Sequence, residues 1–129
     1  PATDDFNRGD NHGVGYFNDV HEKYPIISAL SNQKILNGNF FSIEPGLYVP
    51  NVFGLRLENL YFAKKFDNHI KLEGVTLVPY ELDLINWKLI NAQEKLSIKK
   101  YHQKIYHTFQ GQLGPVYRSY FEKYLINKL

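Results

Sequence analysis

Among 129 residues there is no cysteine, which excludes a disulfide framework and thiolate metal ligands alike. No uninterrupted apolar segment approaches the roughly 20 residues that a membrane-spanning helix needs, and the opening Pro-Ala-Thr-Asp-Asp does not resemble a secretory leader. No membrane partner is expected. Charge of one sign is equally scarce: 15 basic and 13 acidic residues leave a formal net charge of +2, with no run long enough to serve as a nucleic-acid tail. Nucleic acid is therefore not an expected partner, and internal repeats and low-complexity tracts are absent too. Together these absences lead to the expectation of a soluble protein with a cytoplasmic placement.

What is present is enough apolar and aromatic sequence to bury a core at the size of one domain. Residues 1–11 are polar and rich in Asp, Asn and Gly, which favours a loop. Aromatic and β-branched residues then mark strand candidates at Gly13 to Val20 and at Asn39 to Val49, the second interrupted by Glu44-Pro45-Gly46. From Val52 to Ala63 the alternation of Phe53, Leu55 and Leu57 with Arg56 and Glu58 has the period of a strand, and it predicts that Arg56 and Glu58 share a face. Ile70 to Val78 reads as a further strand disturbed by Pro79, and Asp83 to Trp87 as a short extended or turn segment.

Beyond this the character changes. Asn91-Ala-Gln-Glu94 has the form of a capping box, so a helix is expected to run from there to about Gln110, with Leu96, Lys99 or Lys100, Gln103, Tyr106 and Phe109 along one face. Gly111 and Gly114 end it, and Pro115 suits the first turn of a last helix whose stripe is Val116, Tyr117, Tyr120, Phe121, Tyr124 and Leu125. Strands followed by two helices predict an α+β fold, with residues 1–90 carrying the strands and 91–129 the helical extension.

Four short stretches hold the candidate chemistry: His12-Gly-Val-Gly15, Val20-His-Glu22, Ile43-Glu-Pro-Gly46 and Gly54-Leu-Arg-Leu-Glu58. A neutral imidazole and carboxylates are the donor types that a hydrolytic divalent ion takes. Gly13 and Gly15 read as positions where a side chain would keep backbone or substrate from coming close to a metal, and a carboxylate at Glu44 in apolar surroundings needs a cation to offset its burial. Glu44 at a strand end facing solvent, and a plain ion pair between Arg56 and Glu58, are the simpler alternatives. His21 alone is more readily a surface residue, and His69, His102 and His107 are expected to be solvated.

In order along the chain, His-Gly-Val-Gly-Tyr-Phe, Asn-Asp-Val-His-Glu, Ser-Ile-Glu-Pro-Gly-Leu-Tyr, Phe-Gly-Leu-Arg-Leu-Glu-Asn-Leu and Val-Thr-Leu-Val-Pro-Tyr resemble the C-terminal half of the Xaa-Pro aminopeptidases. This is the aminopeptidase P family of pita-bread metallopeptidases. The resemblance extends from about His12 to the C-terminus, with Lys100-Tyr-His102 similar to the Asn-Tyr-His of the cytosolic eukaryotic form. It includes the nine-residue step from His12 to His21 and the fourteen-residue step from Glu44 to Glu58.

The resemblance implies the C-terminal half of a pita-bread fold and a site of two divalent ions, usually manganese in this family, with zinc or cobalt as alternatives. By position it makes His12, Glu44 and Glu58 metal ligands, with Glu58 bridging, and Glu44 the general base. His21 becomes a catalytic and substrate-contacting histidine, and Arg56 an arginine that orients a ligand carboxylate. It further implies a peptide substrate with proline second, an N-terminal half of the same enzyme as partner, and a homodimer formed through the aromatic terminal helices. Two departures accompany it. The family's two aspartate ligands come from the N-terminal half, and Asp4, Asp5, Asp10 and Asp19 do not match their pattern. Arg8 stands where a substrate-pocket histidine is usual, and Asn11 where a small glycine is usual. The alternative is a degenerate, metal-free pita-bread domain used for peptide binding or dimerisation.

Overall fold

The structure is a computed structural model describing residues 11–15, 21–22, 24–27 and 31–126. The loop expected at the N-terminus, Arg8 within it, and most of the strand candidate ending at Val20 lie outside the described residues. The chain divides into two compact units, Pro1–Thr76 and Leu77–Leu129.

The first unit is built on antiparallel strands: β1 (Phe40–Ile43), β2 (Gly46–Val49), β3 (Phe53–Arg56), β4 (Asn59–Phe66) and β5 (His69–Gly74). One sheet has the order β1-β4-β5, and β2 pairs with β3 in a second. Both ladders keep one register: Phe40 faces Phe62 and Ile43 faces Asn59, then Gly46 faces Arg56 and Val49 faces Phe53. The same chain alignment thus continues across a gap in which Glu44 and Pro45 stand opposite Glu58 and Leu57. Pro45 explains the gap, because it accepts the Leu57 N–H at 3.0 Å but has no N–H to return.

That gap overturns the expectation of one strand from Val52 to Ala63. Ladder pairing stops at Arg56 and resumes at Asn59, so Glu58 lies, exposed, in the link between β3 and β4. At the far end the chain reverses through a turn in which Val52 N–H donates to the Val49 carbonyl at 3.0 Å, with Asn51 at φ 60°. Asparagine tolerates this left-handed conformation after a proline. The strand expected over Ile70 to Val78 ends at Gly74. Val75 still donates to the Leu60 carbonyl, and Thr76 Oγ1 accepts the Leu60 N–H, so a side chain takes over from the ladder.

The segment around His12 lies along the other edge of β1. Ser42 N–H donates to the His12 carbonyl at 2.9 Å and Val14 N–H to the Phe40 carbonyl at 2.8 Å, while Glu22 N–H reaches the Gly13 carbonyl at 2.8 Å. Gly13 is obligatory there, since a Cβ would stand 1.7 Å from the Tyr24 carbonyl oxygen. Phe41 and Ala63 are fully buried beneath this arrangement, and closing over one phenylalanine is worth about 2 to 3 kcal/mol.

In the second unit, Leu82–Leu84 forms a 3-10 turn, where an extended or turn segment was expected to begin one residue later; the Glu81 carboxylate caps it by accepting the Asp83 N–H. Helix α1 runs Ala92–Phe109. Its capping box is complete, with Asn91 Oδ1 accepting Glu94 N–H at 2.9 Å and Glu94 Oε2 accepting Asn91 N–H at 2.8 Å. Helix α2 (Pro115–Tyr120) starts with Pro115 in its first turn and passes into a π-helical turn, Phe121–Ile126.

On α1, His102 and Ile105 are buried, and neither was on the expected face. Lys99, Gln103, Tyr106 and Phe109 of that face are half-covered, as are Ile98 and Tyr101, whereas Leu96 is exposed. His102, expected to be solvated, is completely buried. Its Nε2 accepts the Tyr80 N–H at 3.0 Å and its Nδ1 faces the Leu125 carbonyl at 3.2 Å. Those partners fix the neutral tautomer with hydrogen on Nδ1, and burial lowers the His102 pKa against the smaller raising effect of the Leu125 carbonyl. His69 and His107 are exposed, as expected. Of the expected stripe on the last helix, Leu125 is buried, while Val116, Tyr117, Tyr120 and Tyr124 are exposed. No helix among the described residues is long and apolar enough to cross a membrane.

Candidate metal centre

Glu44 is the centre of the site. It lies just past the end of β1, where Pro45 halts the ladder, and it is only 2% exposed. Each carboxylate oxygen is held separately. Oε1 accepts the Ser42 hydroxyl at 2.8 Å and meets His12 Nε2 at 3.0 Å, while Oε2 accepts Arg56 Nη1 at 2.6 Å. Ser42 is fully buried and His12 and Arg56 are partly exposed, so the cluster has a closed floor and an open rim.

The remaining contacts orient these groups. His12 Nδ1 lies 2.8 Å from the Gly13 carbonyl, which places a hydrogen on Nδ1 and turns Nε2 toward Glu44. A lone pair on Nε2 would then face an anionic oxygen, so the 3.0 Å contact is satisfied by a proton on Nε2 or by a cation bound to both atoms. His21, exposed, packs edge-on against the His12 ring with centroids 4.3 Å apart.

Arg56, at the end of β3, is positioned from its other side by Tyr48, whose hydroxyl accepts Nε at 3.0 Å and Nη2 at 2.7 Å. The Tyr48 phenol, and then Glu44, hold the Arg56 pKa above its ordinary value. Two glycines make room for the phenol: a Cβ on Gly46 would stand 2.7 Å from the Tyr48 ring, and one on Gly54, its cross-strand partner, 2.9 Å.

Of the sequence-derived residues, the structure brings His12, Glu44 and Arg56 into contact and sets His21 beside His12. Glu58 occupies the position facing Glu44 in the interrupted register but stays exposed in its link. Among the described residues no three His, Asp or Glu side chains are close enough to hold a metal ion. The cation that Glu44 was expected to need is supplied by Arg56, so its burial alone does not call for a metal. Gly13 admits a close backbone approach, that of the Tyr24 carbonyl, and Gly15 admits the Glu22 side chain. Tyr48, Ser42 and Asn11 were missed by sequence reasoning. The pair of glycines placed to flank Tyr48 in a hairpin is the signal that could have found the first.

The donor chemistry fits a divalent ion. Ligands of a six-coordinate ion bonded at about 2.1 Å stand roughly 3 Å apart along an edge, the separation of His12 Nε2 and Glu44 Oε1, and the His12 tautomer is the one a metal-bound imidazole takes.

Residues 3–65 match the model of metallopeptidase family M24, and residues 68–127 match that of the C-terminal region of the same peptidases. The chain is 38% identical over 122 residues to the putative Xaa-Pro aminopeptidase FRA1 of Saccharomyces cerevisiae, an alignment covering 90% of this chain and 16% of that protein. It is 32% identical over 115 residues to Xaa-Pro aminopeptidase 2 of Rattus norvegicus, covering 85% of this chain and 16% of the relative. The crystal structure of the X-prolyl aminopeptidase of Caenorhabditis elegans, described as a cytosolic enzyme with a di-nuclear active site, superposes with a TM-score of 0.71 at 25% identity, over 91% of this chain and 20% of that one. The chain therefore spans about a fifth or less of the length of these relatives. Antiparallel strands followed by two helices, matched end to end by these two models, place it in metallopeptidase family M24, as a C-terminal part of the aminopeptidase P pita-bread fold.

Proposed function

We propose that this chain supplies one part of the active site of a metal-dependent aminopeptidase that removes an N-terminal residue preceding proline. The observation that carries the reading is the pairing of His12 Nε2 with Glu44 Oε1, with the other imidazole nitrogen committed to a backbone carbonyl. In this reading His12, Glu44 and Glu58 are the ligands contributed to a dinuclear centre, with Glu58, opposite Glu44, as the bridge. Two aspartates come from the N-terminal half of the catalytic domain, which is the chain's principal partner. Manganese is the proposed ion. Such ions, when bound, polarise the scissile carbonyl and make water acidic enough to attack it.

The residues of this chain then divide the work. Glu44 takes up the proton that leaves water as oxygen attacks the carbonyl carbon, and returns it to the departing proline nitrogen. Arg56, held by Tyr48, keeps the carboxylate aimed. His21, beside His12 and open to solvent, contacts the substrate near its carbonyl oxygen, and Arg8 lines the pocket for the peptide. Cytoplasmic placement and a homodimer through the exposed aromatic residues of α2 and the π-helical turn belong to the same proposal.

The test joins this chain to an N-terminal half carrying the two aspartates and supplies manganese and an Xaa-Pro peptide. Turnover that is lost in Glu58→Gln is expected; no turnover, or turnover indifferent to that change, overturns the reading. A second reading, a metal-free pita-bread domain that binds peptides or dimerises, is favoured by one observation: Arg56 already balances the Glu44 charge. It predicts that the assembled protein takes up no manganese in equilibrium dialysis.

A further inference from the structure

Asn11 directly precedes His12, and its side chain makes two bonds of opposite sense. Oδ1 accepts the Glu44 backbone N–H at 2.7 Å, and Nδ2 donates to the Ile27 carbonyl at 3.0 Å. The amide cannot be reversed, since an N–H requires an acceptor and a carbonyl requires a donor. The place of the first bond matters. Along the edge of β1 where Ser42 N–H meets the His12 carbonyl, the next N–H in alternation is that of Glu44. Among the described residues no backbone carbonyl takes that N–H, and the Asn11 side chain stands in for a ladder bond.

We propose that Asn11 is a positioning residue of the candidate metal centre. Through Glu44 N–H it fixes the backbone from which the carboxylate starts, and through the Ile27 carbonyl it ties that backbone to the 24–27 segment that follows His21. Ser42 and Arg56 hold the carboxylate at its tip; Asn11 holds it at its root. The bond to Glu44 is the one that matters for metal binding, because a carboxylate only two side-chain carbons from its Cα moves with that backbone. This rests on the metallopeptidase reading given above.

The experiment uses a polypeptide carrying the whole catalytic domain and reads manganese(II) affinity by calorimetry, hydrogen exchange at the Glu44 amide, and kcat and KM on an Xaa-Pro peptide. Asn11→Ala and Asn11→Gly remove both bonds, so the test does not depend on one variant folding. Asn11→Asp keeps an acceptor for Glu44 N–H and removes only the donor to Ile27. Manganese affinity is expected to fall about tenfold in the alanine and glycine variants, with faster Glu44 amide exchange and a loss in kcat at little-changed KM. The aspartate variant is expected to stay within about threefold of the parent in affinity, with the amide still protected. Unchanged affinity in the alanine and glycine variants overturns the proposal, and so does an aspartate variant as weak as they are. Should the parent bind no manganese, the metallopeptidase reading fails instead. The exchange arm still judges Asn11 then, and a Glu44 amide that stays protected without the asparagine overturns its role.

Discussion

Among the described residues each unit of the molecule buries one ionisable side chain almost completely, and the two are satisfied in opposite ways. Glu44 in the strand unit is 2% exposed and is held by side chains, Ser42, His12 and Arg56. His102 in the helical unit is 0% exposed and is held by the backbone, Tyr80 N–H and the Leu125 carbonyl. Two of the partners of Glu44 reach solvent and can be exchanged for a proton, an ion or a substrate group. Those of His102 are main-chain atoms that cannot leave without unfolding what they join. Burial of a polar group therefore marks chemistry only where its partners are replaceable; otherwise it marks a fastening.

The sharpest way to break this comparison is to neutralise each group. In the assembled enzyme, Glu44→Gln keeps the shape of the side chain and removes its charge, and peptide turnover is expected to fall by ~10³ or more while the melting temperature changes little. His102→Ala should do the reverse. It opens a cavity and strands two backbone groups, costing about 3 kcal/mol in denaturant unfolding, and it should leave manganese affinity unchanged. If His102→Ala weakens metal binding with the fold intact, the division between the two groups is wrong.

Next in size is Arg56→Ala, which leaves Glu44 buried with one cation fewer. Metal affinity is expected to drop roughly tenfold or more, and Tyr48→Phe, which removes only the acceptor for Arg56, should show a smaller loss in the same calorimetric titration. Acid sharpens the helical side. Because the folded His102 pKa lies below the ordinary value of 6.5, the unfolded chain takes up a proton that the folded one resists, so stability is full above that value and declines as pH falls below it. Urea midpoints compared at pH 7.5 and 5.5 should show the decline, and His102→Gln, which cannot titrate, should reduce it. The smallest effect belongs to Asn91→Ala, which opens the capping box of α1 at a cost of about 1 kcal/mol, readable as a shift in thermal midpoint.

Local signals were legible in the sequence where cause and effect are neighbours. Asn91 and Glu94 are three residues apart, and the cap they predict is the cap that forms; Pro115 opens α2 for the same local reason. What was not legible depends on a partner distant along the chain. The Phe53-to-Glu58 alternation looks like a strand until Pro45, thirteen residues before Glu58, is placed opposite its end and withholds a hydrogen bond. His102 looks like a solvated helix residue because Tyr80 and Leu125 lie 22 and 23 residues away. The buried centre of the α1 face, His102 and Ile105, was missed for a related reason: a pattern with aromatic, lysine and glutamine positions on several sides does not select its innermost residues until packing does. At the site, the ligand types and their order were readable, and the hub role of Glu44 and the Tyr48 support of Arg56 were not, since both rest on cross-strand contacts.

The unbroken register across Pro45 has a consequence for how this protein can vary. Glu44 and Arg56 meet only because the chain between them returns after the Val49–Val52 turn with its count unchanged. One residue added to or taken from that turn would send the Arg56 guanidinium to the opposite side of the sheet. The tip of this hairpin, remote from the carboxylate and outwardly an ordinary surface loop, thus sets a length that the site depends on: Asn51 apart, with its left-handed backbone, it tolerates a change of residue more readily than a change in the number of residues.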